Sequence, residues 1–394
     1  MPGLFDRFES VFGDAIHSGI KAEKKDLSFI YVPSAVASAG VFTKNKFAAP
    51  SIVWTKRALK KNVMKAIVIN SGNANAGTGM MGLDNTKTMA KEAALSLGLR
   101  QTEVGVASTG VIGVQLPMDG IKAGIRRLLS QSKVKNPDAV AEGIMTTDTY
   151  PKKVTLSRKI GKKTITVSGL AKGSGMIAPN MATMLAFLIT DATVSSSFLQ
   201  NALDKAVGRS FNSISVDTDT STSDMVLFFA TGERAFSVSK KEECAQFQML
   251  VDDVCIALAK EIICDGEGAT KCIEVQVSCA RSVKEAKEVA FNIVDSPLVK
   301  TAIHGEDPNW GRLIMAIGKS YSVPFNPNMI TVSLQGVVLF SKGMPAAFDE
   351  AVLKTLLEKK DVLIEVDLKM GDSQASVWGC DLTKAYIDIN TDYN

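Results

Sequence analysis

Thr183 stands at a junction that chemistry could use. Before it lies a loop containing Gly173, Gly175, Pro179 and Asn180; after it, Met184 to Ile189 is a nearly continuous apolar run that reads as a strand buried on both faces. The residue just before it, Ala182, is small, so little blocks attack by a hydroxyl on the Ala182 carbonyl. A glycine-rich loop accommodates strained backbone, and a rigid strand would hold whatever group stands at its first residue. These are the requirements of an N-terminal nucleophile. The hydroxyl attacks the preceding peptide carbonyl, the chain breaks, and the freed α-amine serves as general base for the same hydroxyl. On position alone, the plain reading of Thr183 is a strand opener or cap.

Such chemistry needs no histidine, and this chain has only two, His17 and His304. A histidine-dependent triad or a zinc site of several histidines has almost no material. Asp217, Asp219 and Asp224 cluster in one segment, but the spacing lacks the glycine and terminal glutamate of a calcium loop. They read as turn and capping residues, and no metal is expected. Lys172-Gly173-Ser174-Gly175 is a weak glycine motif without the spacing of a nucleotide-binding P-loop, open to a phosphate loop or a plain turn. Thr109-Gly110, after the short apolar run Val104–Ser108, reads locally as a type II turn.

The six cysteines, Cys244, Cys255, Cys264, Cys272, Cys279 and Cys380, form no CxxC pair. With no secretory signal in the first residues, where Asp6, Glu9 and Asp14 interrupt any apolar core, they read as reduced thiols of a cytoplasmic protein. A net charge of +4, from 45 basic and 41 acidic residues scattered along the chain, gives no basic face for nucleic acid. The apolar runs are too short to span a bilayer. At 394 residues, two domains or one large layered unit is expected.

The elements that must position these residues follow from periodicity. Leu4, Phe5, Phe8, Val11, Phe12, Ala15 and Ile16 share one helical face and predict an opening amphipathic helix. Helical spacing continues at Gly82–Leu97, Ser197–Arg209, Glu242–Ile263 and Ala346–Lys359. Strands are expected at Leu27–Val32, Ala66–Asn70, Val104–Ser108, Val226–Ala230, Glu274–Ser278, Val289–Val294, Met329–Leu334 and Val362–Asp367, and a hairpin turns at Gly161-Lys162-Lys163. The mixture predicts α+β packing: a layered α/β sandwich, central sheets flanked by helices, rather than a regular βαβ series.

The segment Lys172–Leu185 resembles the self-cleavage segment of the ornithine acetyltransferases, also called glutamate N-acetyltransferases. Four further motifs match that family in order: Ala107–Gly113, Met145–Thr149, Asp265–Lys271 and His304–Arg312. The match runs from about Gly19 to the C-terminus. The resemblance implies a self-cleaving fold of the N-terminal-nucleophile type, cut between Ala182 and Thr183. Residues 1–182 would form an alpha chain and 183–394 a beta chain, of which about 285–394 would form a smaller α/β lobe. The family's oxyanion hole falls on Thr109 and Gly110, a hydroxyl and a backbone N–H aimed at charge developing on the acyl oxygen. Its substrate contacts fall on Thr146 (or its neighbour Thr147), Lys172, Thr183, Glu267 and Asn390. A flexible ammonium at Lys172 suits an α-carboxylate; Glu267, between two glycines, would meet the substrate's amino group. The family usually has one more contact five positions after the asparagine. This sequence ends four after it, so either Asn394 stands in or that residue lies beyond the sequence given. Thr218 also departs from a glycine commonly found there.

By that resemblance the chain moves acetyl from N2-acetyl-L-ornithine to L-glutamate by a ping-pong mechanism, through an acetyl-threonine and without a cofactor. Its partners are these small molecules and its own chains, paired into a heterotetramer; some family members also take acetyl from acetyl-CoA. Two rivals stay open. One is an N-terminal-nucleophile amidohydrolase or aminopeptidase with water as acceptor. The other is a binding protein that keeps the fold without the chemistry, which would need neither Ala182 nor Thr183.

Overall fold

The structure is a computed structural model that describes residues 3–178, 184–236 and 240–392. It forms two compact units: the chain up to Asn212 with Asp219–Ile262, and Ser213–Thr218 with the chain from Ile263 onward.

The first unit holds β1 (Phe12–Ile16), β2 (Leu27–Tyr31), β3 (Ala37–Phe42), α1 (Pro50–Lys61), β4 (Ala66–Asn73), α2 (Gly79–Leu97), β5 (Val104–Val111), α3 (Met118–Leu129) and α4 (Pro137–Ile144). It continues with β6 (Lys152–Ile160), β7 (Lys163–Lys172), β8 (Leu185–Ala192), α5 (Ser196–Arg209), β10 (Met225–Arg234) and most of α6 (Lys241–Cys264); the short β9 (Ile214–Ser215) between them belongs to the second unit. One sheet has the order β1-β2-β4-β5 and the other β3-β10-β8-β7-β6. In these two sheets, among the described residues, β4–β5 and β8–β10 are the parallel pairs, each joined through a helix, as a parallel connection requires.

Alternation along the strands explains the layering. Ile67 and Ile69 of β4 meet Leu185, Phe187 and Ile189 of β8 in one core between the sheets. Ala66 and Val68 point the other way, with Leu27 and Phe29, onto Met89, Ala93, Ile121 and Ile125 of α2 and α3. On the far side, Leu258 and Val254 of α6 press on Gly169 of β7. Helix, sheet, sheet and helix form four layers. Strand β8 is buried along its whole length, which is why its sequence is apolar on both faces.

The second unit carries β11 (Cys272–Ala280), α7 (Val283–Val294), α8 (Pro297–His304), α9 (Trp310–Gly318), β12 (Thr331–Leu334) and β13 (Val337–Ser341). After these come β14 (Met344–Pro345), α10 (Glu350–Leu357), β15 (Asp361–Asp367), β16 (Ser373–Cys380) and α11 (Lys384–Asp392). Its sheet has the order β14-β13-β12-β15-β11-β16-β9. Val275, Ile364 and Val377 of the sheet share a core with Val289 and Ile293 of α7, Leu313 and Ile317 of α9, and Leu353 of α10.

Four expectations need correction. The opening helix is only one 3₁₀ turn, Leu4–Arg7, where the Asp6 carboxylate accepts from Gly3 N–H; residues from Phe12 pair with β2. Gly13 disfavours helix, and its position leaves no room for a Cβ, which would lie 2.7 Å from the Phe29 carbonyl. The segment Val289–Val294 is the end of α7, not a strand. Ser282 caps that helix by accepting from Glu285 N–H, and Ala286, Val289, Ala290 and Ile293 are buried at helical spacing. Strand β5 runs on through Thr109 and Gly110 instead of turning there. Finally, Cys264 and Cys272 are joined by a disulfide. The loop between α6 and β11 brings their Cα atoms to 5.3 Å, inside the range a disulfide bridges. The other four cysteines are free thiols. Among the described residues no helix is long and apolar enough to cross a membrane.

Candidate active site

Thr109 and Gly110 lie near the end of β5, next to Gly72 and Asn73 at the end of β4. The ladder slips register there, and Gly110 takes a φ of +131°. A Cβ on Gly110 would sit 2.3 Å from the Gly72 backbone, so this bulge admits glycine alone. Bulges of this kind re-aim side chains at a sheet's edge.

Lys172 ends β7, paired across the ladder with Leu185 at the start of β8. Its side chain is buried, and its ammonium donates to the Thr109 hydroxyl oxygen at 3.4 Å. An ammonium can only donate. The hydroxyl hydrogen of Thr109 is therefore left to point at another acceptor, such as an oxyanion.

Asp148 binds this corner together. One carboxylate oxygen accepts from the Thr146 N–H at 2.9 Å. The other accepts from Gly173 N–H and from the Lys152 ammonium, both at 2.7 Å. Burial pushes the Asp148 carboxyl up, but the charges of Lys172 and Lys152 and these hydrogen bonds outweigh it and hold the group down at about 2. Thr146, half-buried in the loop after α4, is thus fixed at its backbone next to the glycine loop that follows Lys172.

Thr183, Ala182 and Asn394 lie outside the described residues. The chain resumes at Met184, whose N–H donates to the Asp224 carboxylate at 3.0 Å and whose carbonyl accepts from Met225 N–H at 3.2 Å. Asp224 is fully buried, and its second oxygen has no hydrogen-bond partner among the described residues. Burial pushes its pKa well above the usual carboxylate value, against the pull of the Met184 N–H, the Ser221 hydroxyl and the Lys172 charge.

In the second unit, Glu267 and Asn390 meet directly: the Asn390 amide donates to the Glu267 carboxylate at 2.8 Å and to the Tyr386 carbonyl at 2.9 Å. Glycine makes this approach possible. Gly268 has a φ of +70°, and a Cβ there would lie 2.6 Å from the Tyr386 backbone nitrogen of α11. The hydroxyl of Thr383 ties the same helix to the Gly268 carbonyl at 2.7 Å. His304 pairs with the buried Asp381 at 3.0 Å and His17 lies 3.4 Å from Asp26.

The structure therefore joins Thr109, Gly110 and Lys172, sets Thr146 beside them through Asp148, and separately joins Glu267 with Asn390. Sequence reasoning missed Asp148 and Asp224 as working residues. Asp148 carried a signal, standing two positions after Thr146 in the same motif. The Asp224 signal was hidden, because its partner lies 40 residues away.

The ArgJ family matches residues 13–394. The arginine biosynthesis bifunctional protein ArgJ of Bacillus cereus is 44% identical over 387 residues, covering 98% of this chain and 94% of that protein. Its namesake from Symbiobacterium thermophilum is 45% identical over 378 residues, covering 95% and 94%. Among solved structures, the crystal structure of arginine biosynthesis bifunctional protein ArgJ from Bacillus halodurans is 42% identical, with a TM-score of 0.50. It aligns with 52% of this chain and 98% of that one.

Proposed function

Because this chain belongs to the ArgJ family, we propose that it moves acetyl from N2-acetyl-L-ornithine to L-glutamate in arginine biosynthesis, by a ping-pong route through an acetyl-Thr183. The observation that carries this reading is the approach of the Lys172 ammonium to the Thr109 hydroxyl beside Gly110, at the strand pair from which β8 begins.

The precursor is cut first. The Thr183 hydroxyl attacks the Ala182 carbonyl, the C–N bond breaks as the acyl group passes to oxygen, and water hydrolyses the ester. The chains 1–182 and 183–394 result, the second starting with a free α-amine. In the first half-reaction this amine takes the Thr183 hydroxyl proton while the oxygen attacks the acetyl carbonyl. The oxyanion is held by the Thr109 hydroxyl and the Gly110 N–H, and collapse expels ornithine, which receives the proton. Glutamate then attacks the acetyl ester through its neutral amine, forming N-acetylglutamate and restoring the hydroxyl. Lys172 takes the α-carboxylate common to donor and acceptor, with Thr146 beside it; Glu267, Asn390 and Asn394 are assigned as further substrate contacts on the family resemblance alone. We assign the enzyme to the cytoplasm and to a heterotetramer of two alpha and two beta chains, with acetyl-CoA as a second acetyl donor.

Intact-mass analysis of purified protein tests the first step: two chains meeting at Ala182 and Thr183 are expected, and Thr183→Ala should leave one chain of 42.1 kDa. Isotopically labelled N-acetylornithine tests the second. Label should appear in N-acetylglutamate, and label released mainly as acetate would instead identify an amidohydrolase.

A further inference from the structure

A cavity of about 280 Å³ opens beside Thr146, lined by Lys21, Lys24, Lys25 and Glu142 among others. Its charges do not cancel. The Lys25 ammonium is paired with the Glu142 carboxylate at 2.9 Å, whereas among the described residues neither Lys21 nor Lys24 has an ion pair. Nearby Asp26 is fully buried and saturated: it accepts from the backbone N–H groups of Ser18, Ile20 and Lys21 and from the Ser18 hydroxyl. That network fixes the backbone at Lys21.

The Lys21 side chain is aimed by its surroundings. Its stem lies over Gly72, where a Cβ would meet the Lys21 Cγ at 3.0 Å, and Gly72 is the ladder partner of Gly110. The ammonium donates to the carbonyls of Met145 and Lys25, at 2.7 and 3.1 Å. Of its three hydrogens, one remains for a ligand. Lys21 thus reaches from the oxyanion bulge to the residue before Thr146.

We propose that Lys21 is a specificity-determining residue whose ammonium takes the side-chain carboxylate of the incoming acceptor, so that small dicarboxylates are preferred. This rests on the acyl-transfer reading above, in which Lys172 holds the α-carboxylate. The same pocket must admit the alkylammonium of ornithine in one half-reaction and a carboxylate in the other. Lys21 suits both. Burial lowers its pKa to about 8, with the charges of Lys172 and Lys24 acting the same way and Asp26 and Asp148 opposing. It can therefore shed its charge beside a cation and regain it beside an anion, with the Lys25–Glu142 pair at the rim unchanged in net charge.

The test is calorimetric titration of the purified self-processed enzyme with glutarate, which has no amine to titrate, and with butyrate, which lacks the second carboxylate. Lys21→Met should weaken glutarate binding roughly ten- to a hundredfold, the scale of one charge-assisted hydrogen bond, and leave butyrate unchanged. Lys21→Arg should restore it. Glutarate affinity of the wild type should fall from pH 7 to 9 as Lys21 loses its proton, and that fall should vanish in Lys21→Arg. Three results would overturn the proposal: no measurable glutarate binding by the wild type, undiminished binding by Lys21→Met, or equal losses for glutarate and butyrate, which mark a structural role. A wild type that binds glutarate in this charge-dependent way yet transfers no acetyl would refute the acyl-transfer reading alone.

Discussion

The first described residue after the proposed cleavage point, Met184, gives its N–H to the buried carboxyl of Asp224 at 3.0 Å. That N–H belongs to the peptide bond with Thr183, so Asp224 anchors the backbone just after the proposed nucleophile. Burial favours the neutral acid. Its folded pKa is raised, so its contribution to stability is complete below the unfolded value, about 3.9, and is lost as pH rises toward the folded value. Asp224→Asn keeps an acceptor oxygen and cannot ionise. Its melting temperature relative to wild type should therefore rise with pH between 4 and 8. Asp224→Ala leaves the Met184 N–H unpaired and should cost about 1–3 kcal/mol, with slower self-cleavage. A melting difference for Asp224→Asn that does not change with pH would refute the neutral-acid assignment.

Thr109 is placed to donate to an oxyanion because its oxygen already accepts from Lys172. Thr109→Val should fold and still bind substrate, yet lose roughly 10²–10³-fold in kcat, with little change in KM. Thr109→Ser should keep most of the rate. Steady-state kinetics with N-acetylornithine and glutamate decide it, and an unimpaired Thr109→Val would remove Thr109 from the oxyanion hole.

Asp148 has the opposite electrostatics to Asp224. Its carboxyl is held at about 2, below the unfolded value, so the stability it adds is present above about pH 4 and is lost as pH falls toward 2. Both Asp148 and its partner Lys152 are fully buried. Asp148→Asn should therefore cost on the order of 3–5 kcal/mol at neutral pH by leaving a buried ammonium uncompensated. Denaturant titrations at pH 7, 4 and 2.5 should show the deficit shrinking at the acid end; a deficit constant across that range would mean the carboxylate charge is not what matters.

Much of this arrangement was legible in the sequence because it is local. The apolar run from Met184 to Ile189 announced a doubly buried strand, and α2, α5 and α6 followed their helical spacing. What failed was decided by tertiary partners. Phe12 and Ile16 fit a helical face, but β2 offers them a ladder; Val289–Val294 is mostly apolar with three β-branched residues, Val289, Ile293 and Val294, but Ser282 starts a helix upstream. The bulge at Gly110 needed knowledge of Gly72 across the sheet. The candidate site was read largely through the resemblance, since nothing in the spacing links Lys172 to Thr109, 63 residues apart.

Thr218 has a φ of +69°. A β-branched residue is strained in that region, at a cost of roughly 1–3 kcal/mol. Thr218→Gly should relieve it, offset in part by the greater entropy of glycine in the unfolded chain. A net gain of about 1 kcal/mol in denaturant melts is expected. A loss of stability would show that the Thr218 side chain contributes contacts worth more than the strain.

The proposed base, the α-amine of Thr183, sets the pH dependence of the reaction. A free α-amino group has a pKa of about 7.7–8.0, and it must be neutral to accept the hydroxyl proton. Activity should therefore fall on acidification as the amine is protonated. Lys172 pairs with Leu185, two residues beyond Thr183, and a neighbouring positive charge disfavours a second one. Lys172→Met should therefore move the acidic limb of kcat/KM to higher pH while also weakening substrate binding. The profile of kcat/KM reports ionisations of the free enzyme and free substrate, so both proteins are compared with the same acetylated donor, whose α-amine is blocked. A limb at the same pH in both would place Lys172 outside electrostatic reach of the base. No limb at all between about pH 5 and 9 would take the α-amine out of the base role.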